Sequence, residues 1–327
     1  MSMYIPDPTP VLETYWRFGA ERYASYLKRL RGEPWPWTSD RDLQRYKFTN
    51  AFRACDRVSQ YLIKEVIYNP QASSDAEETV FRILLFKFFN RISTWELWIA
   101  KFGMPTWKAF NEPSYIRVLN EAKAKGTKIF SAAYTHNDLP GYADAFPGCS
   151  DKHPRYLRLL SDMMSGGVTA QLQAARSYED AFLVLNAFPL HSDFIGMQHL
   201  TDINYSEVID FDENDFILAG PGAYGGLEKC FKRKLTKEEA IAVIQECVAD
   251  QTGFFQHYGL APVTLFGRKL HAIDCQNLFC ETNKIARVKH PEAALKENER
   301  IKQTFKPTAA PLPVPFFPPK WRIKAIL

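Results

Sequence analysis

Apolar positions recur at three- and four-residue spacing along most of this chain, the period of helices with one buried face. From Leu12 to Arg31 the pattern runs unbroken and stops at Gly32 and the turn Pro34-Trp35-Pro36. A second run predicts a helix from about Arg41 to Tyr68, ended before Pro70. Ser74 and Glu77 match the S-x-x-E capping box and predict the start of a third helix. That helix is apolar on every side, with 13 apolar residues among the 20 from Val80 to Ile99. A helix without a polar face is central and buried, so this one is expected to be the hub of the core. Further helices are expected at Pro113–Lys125, His153–Ser165, Ser177–Leu185, Asp193–Ile203, Thr236–Gln251 and Gln276–Lys289. Thr236 and Glu239 form a second capping box. Lys128–Ala133 is a candidate strand, yet no regular alternation supports a sheet. No internal repeat is visible. Six prolines from Pro307 to Pro319 predict an extended tail. The reading is a mostly α chain: one helical domain over 1–306, divisible into two lobes, then a Pro-rich tail over 307–327.

Composition narrows the class. The 327 residues are 46% apolar and 14% aromatic, enough to bury a sizeable core, which excludes a disordered or fibrous chain. No apolar stretch reaches the roughly 18 residues of a membrane span. Met1 to Tyr15 lacks the basic-then-apolar order of a signal peptide. Six scattered cysteines (Cys55, Cys149, Cys230, Cys247, Cys275, Cys280) read as free thiols, so a cytoplasmic location is expected. Net charge is only +4, but it is unevenly spread. Ten basic and five acidic residues lie between Arg17 and Arg57, and seven basic and three acidic between Lys284 and Lys306. Between these flanks Glu207, Asp210, Asp212, Glu213 and Asp215 form an acidic node. Basic flanks around an acidic node suit a polyanion-binding protein with a reactive carboxylate.

The chain has no Walker loop, no H-E-x-x-H, no G-x-S-x-G and no C-x-x-C. No metal and no cofactor are therefore expected, and His271, Cys275 and Cys280 read as core residues rather than ligands. Gly220-Pro221-Gly222-Ala223-Tyr224-Gly225-Gly226 is the most glycine-dense segment. It is either a structural turn or a backbone that approaches a phosphate closely. On a helix, Asn277, Glu281 and Lys284 share one polar face.

Four segments together resemble a known family. They are Asp215–Ala223 with Gly226 and Lys229, Ile273–Glu281 with Lys284 and Arg287, Phe48–Arg57, and Phe86–Trp95 with Asn90 and Arg91. The resemblance is to the α-glutamyl/putrescinyl-thymine pyrophosphorylase family, which shares its helical domain with phage 5-hydroxymethyluracil DNA kinases, and it covers roughly Tyr15 to His290. It implies a helical bundle akin to helix-hairpin-helix DNA glycosylases. It also implies double-stranded, modified phage DNA as the partner, with no membrane and, for want of a P-loop, no nucleotide cofactor. The chain looks most similar to stand-alone antiphage glycosylases that act on α-glucosyl-5-hydroxymethylcytosine. On this reading Asn50, Arg53, Arg57, Asn90, Arg91, Gly220, Gly222, Gly225, Lys284 and Arg287 hold DNA. Gln198, Asp202, Tyr205, Gln276, Asn277 and Glu281 line a base pocket.

Such glycosylases carry a hairpin followed, roughly 22–25 residues on, by a catalytic aspartate. Phe188–Asp193 occupies the hairpin position without its glycines, and Asp212 and Asp215 follow Pro189 by 23 and 26 residues. An ionised carboxylate beside C1′ would stabilise the cationic sugar and orient water. Asp215 is the first choice, Asp212 the second, and Asp274 the rival. With no lysine in Asn186–Ile203, a monofunctional DNA N-glycosylase leaving abasic sites is expected. The alternative is a transferase or pyrophosphorylase acting on an activated 5-hydroxymethyl pyrimidine in DNA.

Overall fold

The computed structural model describes residues 6–132, 145–149, 151–189, 191–308 and 310–324. Among them the fold is all-helical, with two isolated β-bridges and no strand. Ala133 of the candidate strand and Leu190 of the expected hairpin lie outside the described residues. The chain divides into two compact units. The first comprises Met1–Asp56, Phe216–Pro315 and Trp321–Leu327, and the second Arg57–Asp215 and Phe316–Lys320.

In chain order, α1 (Pro10–Leu30) and α2 (Arg41–Arg45) open the first unit. The single helix expected over Arg41–Tyr68 does not form. Tyr46 and Lys47 leave helical geometry to pair with the backbone of residues 303–305. A 3-10 turn at Arg53–Cys55 follows, and only then α3 (Arg57–Tyr61), which widens into a π-helical turn at Leu62–Ile67. Helix α4 (Ala76–Phe89) is capped by Asp75, whose carboxylate accepts from the N–H groups of Glu77 and Glu78. The expected Ser74 cap is thus displaced by one residue, because Asp is the stronger acceptor for first-turn N–H groups.

The expected Val80–Ile99 helix is broken at Asn90, where φ is +46°. Asparagine tolerates the left-handed region better than other side chains, and it ends α4 as a C-cap. Helix α5 (Ile92–Phe102) then starts afresh. The expected burial holds: every α4 residue from Thr79 to Phe89 is buried. Next come α6 (Glu112–Ala124), α7 (Lys152–Ser165), α8 (Val168–Ala174), α9 (Tyr178–Asn186) and α10 (Asp193–Ile203). Ser177 and Ser192 cap the last two. Phe88 stacks on Tyr156 of α7 and meets the hydrogen-bonded ring pair His191–His199 edge-on. Within this unit the tail segment 316–320 is pinned by two bonds between Gln60 and Phe316 and by Lys320 donating to the carbonyls of Ser206 and Ile209.

The first unit resumes with α11 (Pro221–Phe231), α12 (Lys237–Ala249), α13 (Gln251–His257) and α14 (Ala272–Lys289). The glycine-dense segment is therefore the first half of a helix, not a turn. Its glycines serve close packing: a Cβ at Gly222 would strike Cys280, and one at Gly226 would strike the backbone carbonyl of Phe279. Helix α14 is the spine of this unit, with α1, α11 and α12 packed around it. Tyr15 lies 4.2 Å from the ring of Phe279 and donates its hydroxyl to the Cys275 carbonyl. All six cysteines are free thiols.

Candidate functional site

The first unit builds a polar site where the segment Phe48–Asp56 lies along the N-terminal half of α14. Asp274 fixes the base of it. Its carboxylate accepts from the backbone N–H of His271 (3.1 Å), closing a capping box, and from that of Arg53 (2.7 Å). One side chain thus starts the helix and ties the loop to it. Burial pushes the Asp274 carboxyl up despite both bonds.

Two residues further on, Gln276 donates to the Asn277 side-chain oxygen (3.3 Å), and the buried Gln276 Oε1 has no partner among the described residues. Glu281 accepts from the Thr49 N–H (3.2 Å) and pairs with Lys284 (2.6 Å), whose ammonium lies 5.5 Å from the centre of the half-buried Phe48 ring. Arg22 reaches from α1 to the Thr49 carbonyl (2.9 Å) and the Asn50 side-chain oxygen (2.8 Å). Asn50 in turn closes the loop, donating to the Cys55 carbonyl and twice, through its backbone and its amide, to Asp56 Oδ1 at 2.8 and 3.2 Å.

Charge in this site is partly desolvated. Burial, with Glu281 adding repulsion, pushes the half-buried Asp56 carboxyl up to about 7, against the opposing pull of Asn50, Arg22 and Arg53. Burial lowers the Arg22 guanidinium, although Asp56 and Glu281 oppose it. A carboxyl that titrates near neutrality beside an arginine and an amide can bind a hydrogen-bond donor or move a proton. The linkage has a definite sign. Because the folded value lies above the ordinary 3.8, the proton on Asp56 favours the fold at low pH, and that contribution is lost as pH rises through about 7. The melting temperature of Asp56→Asn relative to the parent is therefore expected to increase from pH 5 to pH 8, checked by thermal melts at both.

Sequence-predicted residues are distributed unevenly. Asn50, Arg53, Asp274, Gln276, Asn277, Glu281 and Lys284 come together in this site. Gly220, Gly222 and Gly225 belong to α11 and its N-cap, with Gly222 and Gly225 packed on Cys280 and Asn283 of α14. Arg287 donates to the Arg300 carbonyl, on the same helix but further along. In the second unit Asn90 and Asp202 meet at Lys87, a buried cation 2.9 Å from Asp202 Oδ2 and 3.2 Å from Asn90 Oδ1. Gln198 and Tyr205 are buried in that unit too, and Arg91 bonds Ser93. Arg57 is exposed. Asp212 and Asp215 lie on an exposed turn, where Asp212 accepts from the Asn214 N–H. Among the described residues no group of three or more His, Cys, Asp or Glu is placed to hold a metal ion.

Sequence reasoning gave no role to Asp56, Arg22 or Lys87. Asp56 and Lys87 stood inside quoted segments, but nothing local marks their partners. Nor did it see that the two basic flanks adjoin. Lys47 N–H bonds the Gln303 carbonyl and Phe305 N–H bonds the Arg45 carbonyl. The exposed cations Arg41, Arg45, Lys47, Lys302 and Lys306 consequently form one strip, and none of them makes an ion pair among the described residues.

A family model described as "5-hmdU DNA kinase, helical domain" matches residues 9–295. The "5-hmdU DNA kinase" of Bacillus phage SP10 is 23% identical over 222 residues, which is 63% of this chain and 34% of that protein. The chain thus spans about a third of that relative's length. No solved structure matches it. These similarities overturn the expectation of a DNA N-glycosylase: a DNA kinase is a transferase, and nothing in either match points to hydrolysis of an N-glycosyl bond. The water-orienting role given to Asp215, Asp212 and Asp274 goes with it. The expectation that no nucleotide takes part also conflicts with a relative named as a kinase. No helix among the described residues is long and apolar enough to cross a membrane.

Proposed function

The chain belongs to the family of 5-hmdU DNA kinase helical domains, and from that premise we propose that it binds DNA and supports transferase chemistry at the 5-hydroxymethyl group of a modified pyrimidine. The reaction takes the 5-hydroxymethyl pyrimidine as its substrate and leaves a substituted base in an intact strand. The observation that carries the reading is the convergence of Phe48–Asp56 on the Asp274–Lys284 stretch of α14 around partly desolvated polar groups, with Gly220–Gly226 packed against the same helix. The half-buried Phe48 ring offers a face for a base, and Asn277 offers an amide to its edge.

The basic strip supplies the footing on DNA. Phosphate contacts release counterions, so affinity should fall steeply with salt. For duplex DNA each lost contact lowers the slope of log K against log salt by roughly 0.9. Lys47→Ala with Lys302→Ala is therefore expected to flatten the slope by roughly 1–2, measured by fluorescence anisotropy between low and physiological salt. An unchanged slope would place the phosphates elsewhere.

The chemistry is tested by incubating the full chain with DNAs bearing 5-hydroxymethyluracil, free or activated at the hydroxymethyl oxygen, together with amine and nucleotide co-substrates. Nucleoside mass spectrometry should then find a substituted base. Abasic sites, or unchanged bases throughout, would sink the reading.

A further inference from the structure

We propose that Asp56 is the residue by which this site selects a 5-hydroxymethyl pyrimidine, its unbonded carboxylate oxygen accepting a hydrogen bond from the substrate's 5-hydroxymethyl O–H. The inference rests on the reading above that the first unit's site takes such a base. It begins from an asymmetry in how the carboxylate is held. Oδ1 receives both bonds from Asn50, at 2.8 and 3.2 Å, while Oδ2 has no partner among the described residues. Asn50 is itself fixed by Arg22 and by the Cys55 carbonyl, so the carboxylate is clamped at one oxygen and unbonded at the other.

The groups around it are accounted for. Glu281 is occupied by the Thr49 N–H and Lys284, and Asp274 by Arg53 and His271. Arg22 is bonded to Thr49 and Asn50. That leaves an acceptor, half-buried, for which the described residues provide no donor. An acceptor in such a place calls for a donor from the ligand. Phosphate oxygens and base carbonyls are acceptors and do not qualify. A hydroxyl does, and the 5-hydroxymethyl O–H is the donor that distinguishes this base from thymine, which shares the ring N3–H. A site that hydrogen-bonds a substrate hydroxyl discriminates against the analogue lacking it, because its own polar group is then left unpaired.

The test uses the full-length protein and oligonucleotides carrying 5-hydroxymethyluracil, thymine or 5-methoxymethyluracil at one position. The methoxy probe keeps the oxygen and removes the donor. By fluorescence anisotropy at pH 8, where the Asp56 carboxyl is ionised, the parent is expected to prefer the hydroxymethyl base over both others by roughly tenfold or more. Asp56→Asn keeps an oxygen for Asn50 and replaces the free acceptor with an N–H donor. It should bind the methoxy and hydroxymethyl bases equally, and a circular dichroism spectrum matching the parent shows that the loop still closes. If Asp56→Asn retains the parent's order of preference, or the parent itself does not distinguish hydroxymethyl from methyl, the assignment falls. Product analysis separates this from the underlying reading. Substituted base formed without any binding preference removes Asp56 alone; preference without product removes the transferase chemistry and leaves Asp56 standing.

Discussion

Asp202→Ala is expected to destabilise the second unit by about 3–5 kcal/mol, the usual cost of stranding one partner of a buried ion pair. Lys87 and Asp202 are 2.9 Å apart, and their side chains are 3% and 1% exposed. With the carboxylate removed, the ammonium keeps the neutral acceptor Asn90 Oδ1 but loses this counter-ion in a place with little access to water. The cost comes from a buried charge that has lost this counter-ion. Accordingly the apolar double replacement Lys87→Met with Asp202→Leu should cost far less than Asp202→Ala alone. Urea unfolding of the three proteins decides it. A double variant as unstable as the single one would show that packing, not charge, governs this site.

Gly226→Ala is expected to be the most damaging single-methyl change in the first unit. A Cβ there meets the Phe279 carbonyl and α-carbon, which belong to the backbone of α14 and cannot rotate aside. Relief requires separating two helices, and overpacking of this kind costs about 1–3 kcal/mol, occasionally more. Gly222→Ala makes a matched comparison, since its Cβ meets chiefly the Cys280 side chain. It should cost less, because a thiol can change rotamer where a carbonyl cannot. Equal urea midpoints for the two variants would show that the α11–α14 contact accommodates a methyl at either position. The loss should extend to the DNA binding proposed for the same unit, because α14 carries the candidate site.

Most helices of this protein were legible in the sequence because their signals are local. Thr236 and Glu239 satisfy each other across one turn, Ser177 and Ser192 cap the helices that follow them, and the apolar run of α4 is buried along its length. The misread elements were those whose outcome was set by something remote. A helical pattern over Arg41–Tyr68 yields because residues 45–47 find backbone partners at 303–305. The glycines of α11 look like a turn until α14 lies against them, where the absence of side chains permits contact.

The candidate site divides the same way. The chain's own residues show which segments are unusually polar: the Asn50–Arg53 stretch, and the α14 face bearing Asn277, Glu281 and Lys284. Folding alone set Arg53 against a carboxylate 221 residues away and buried Lys87 against Asp202. Helical periodicity and capping bind residues three or four apart, so they leave a repeating trace in the chain. A buried polar contact between distant residues is made once, so its partners follow no spacing, and folding alone brings them within reach.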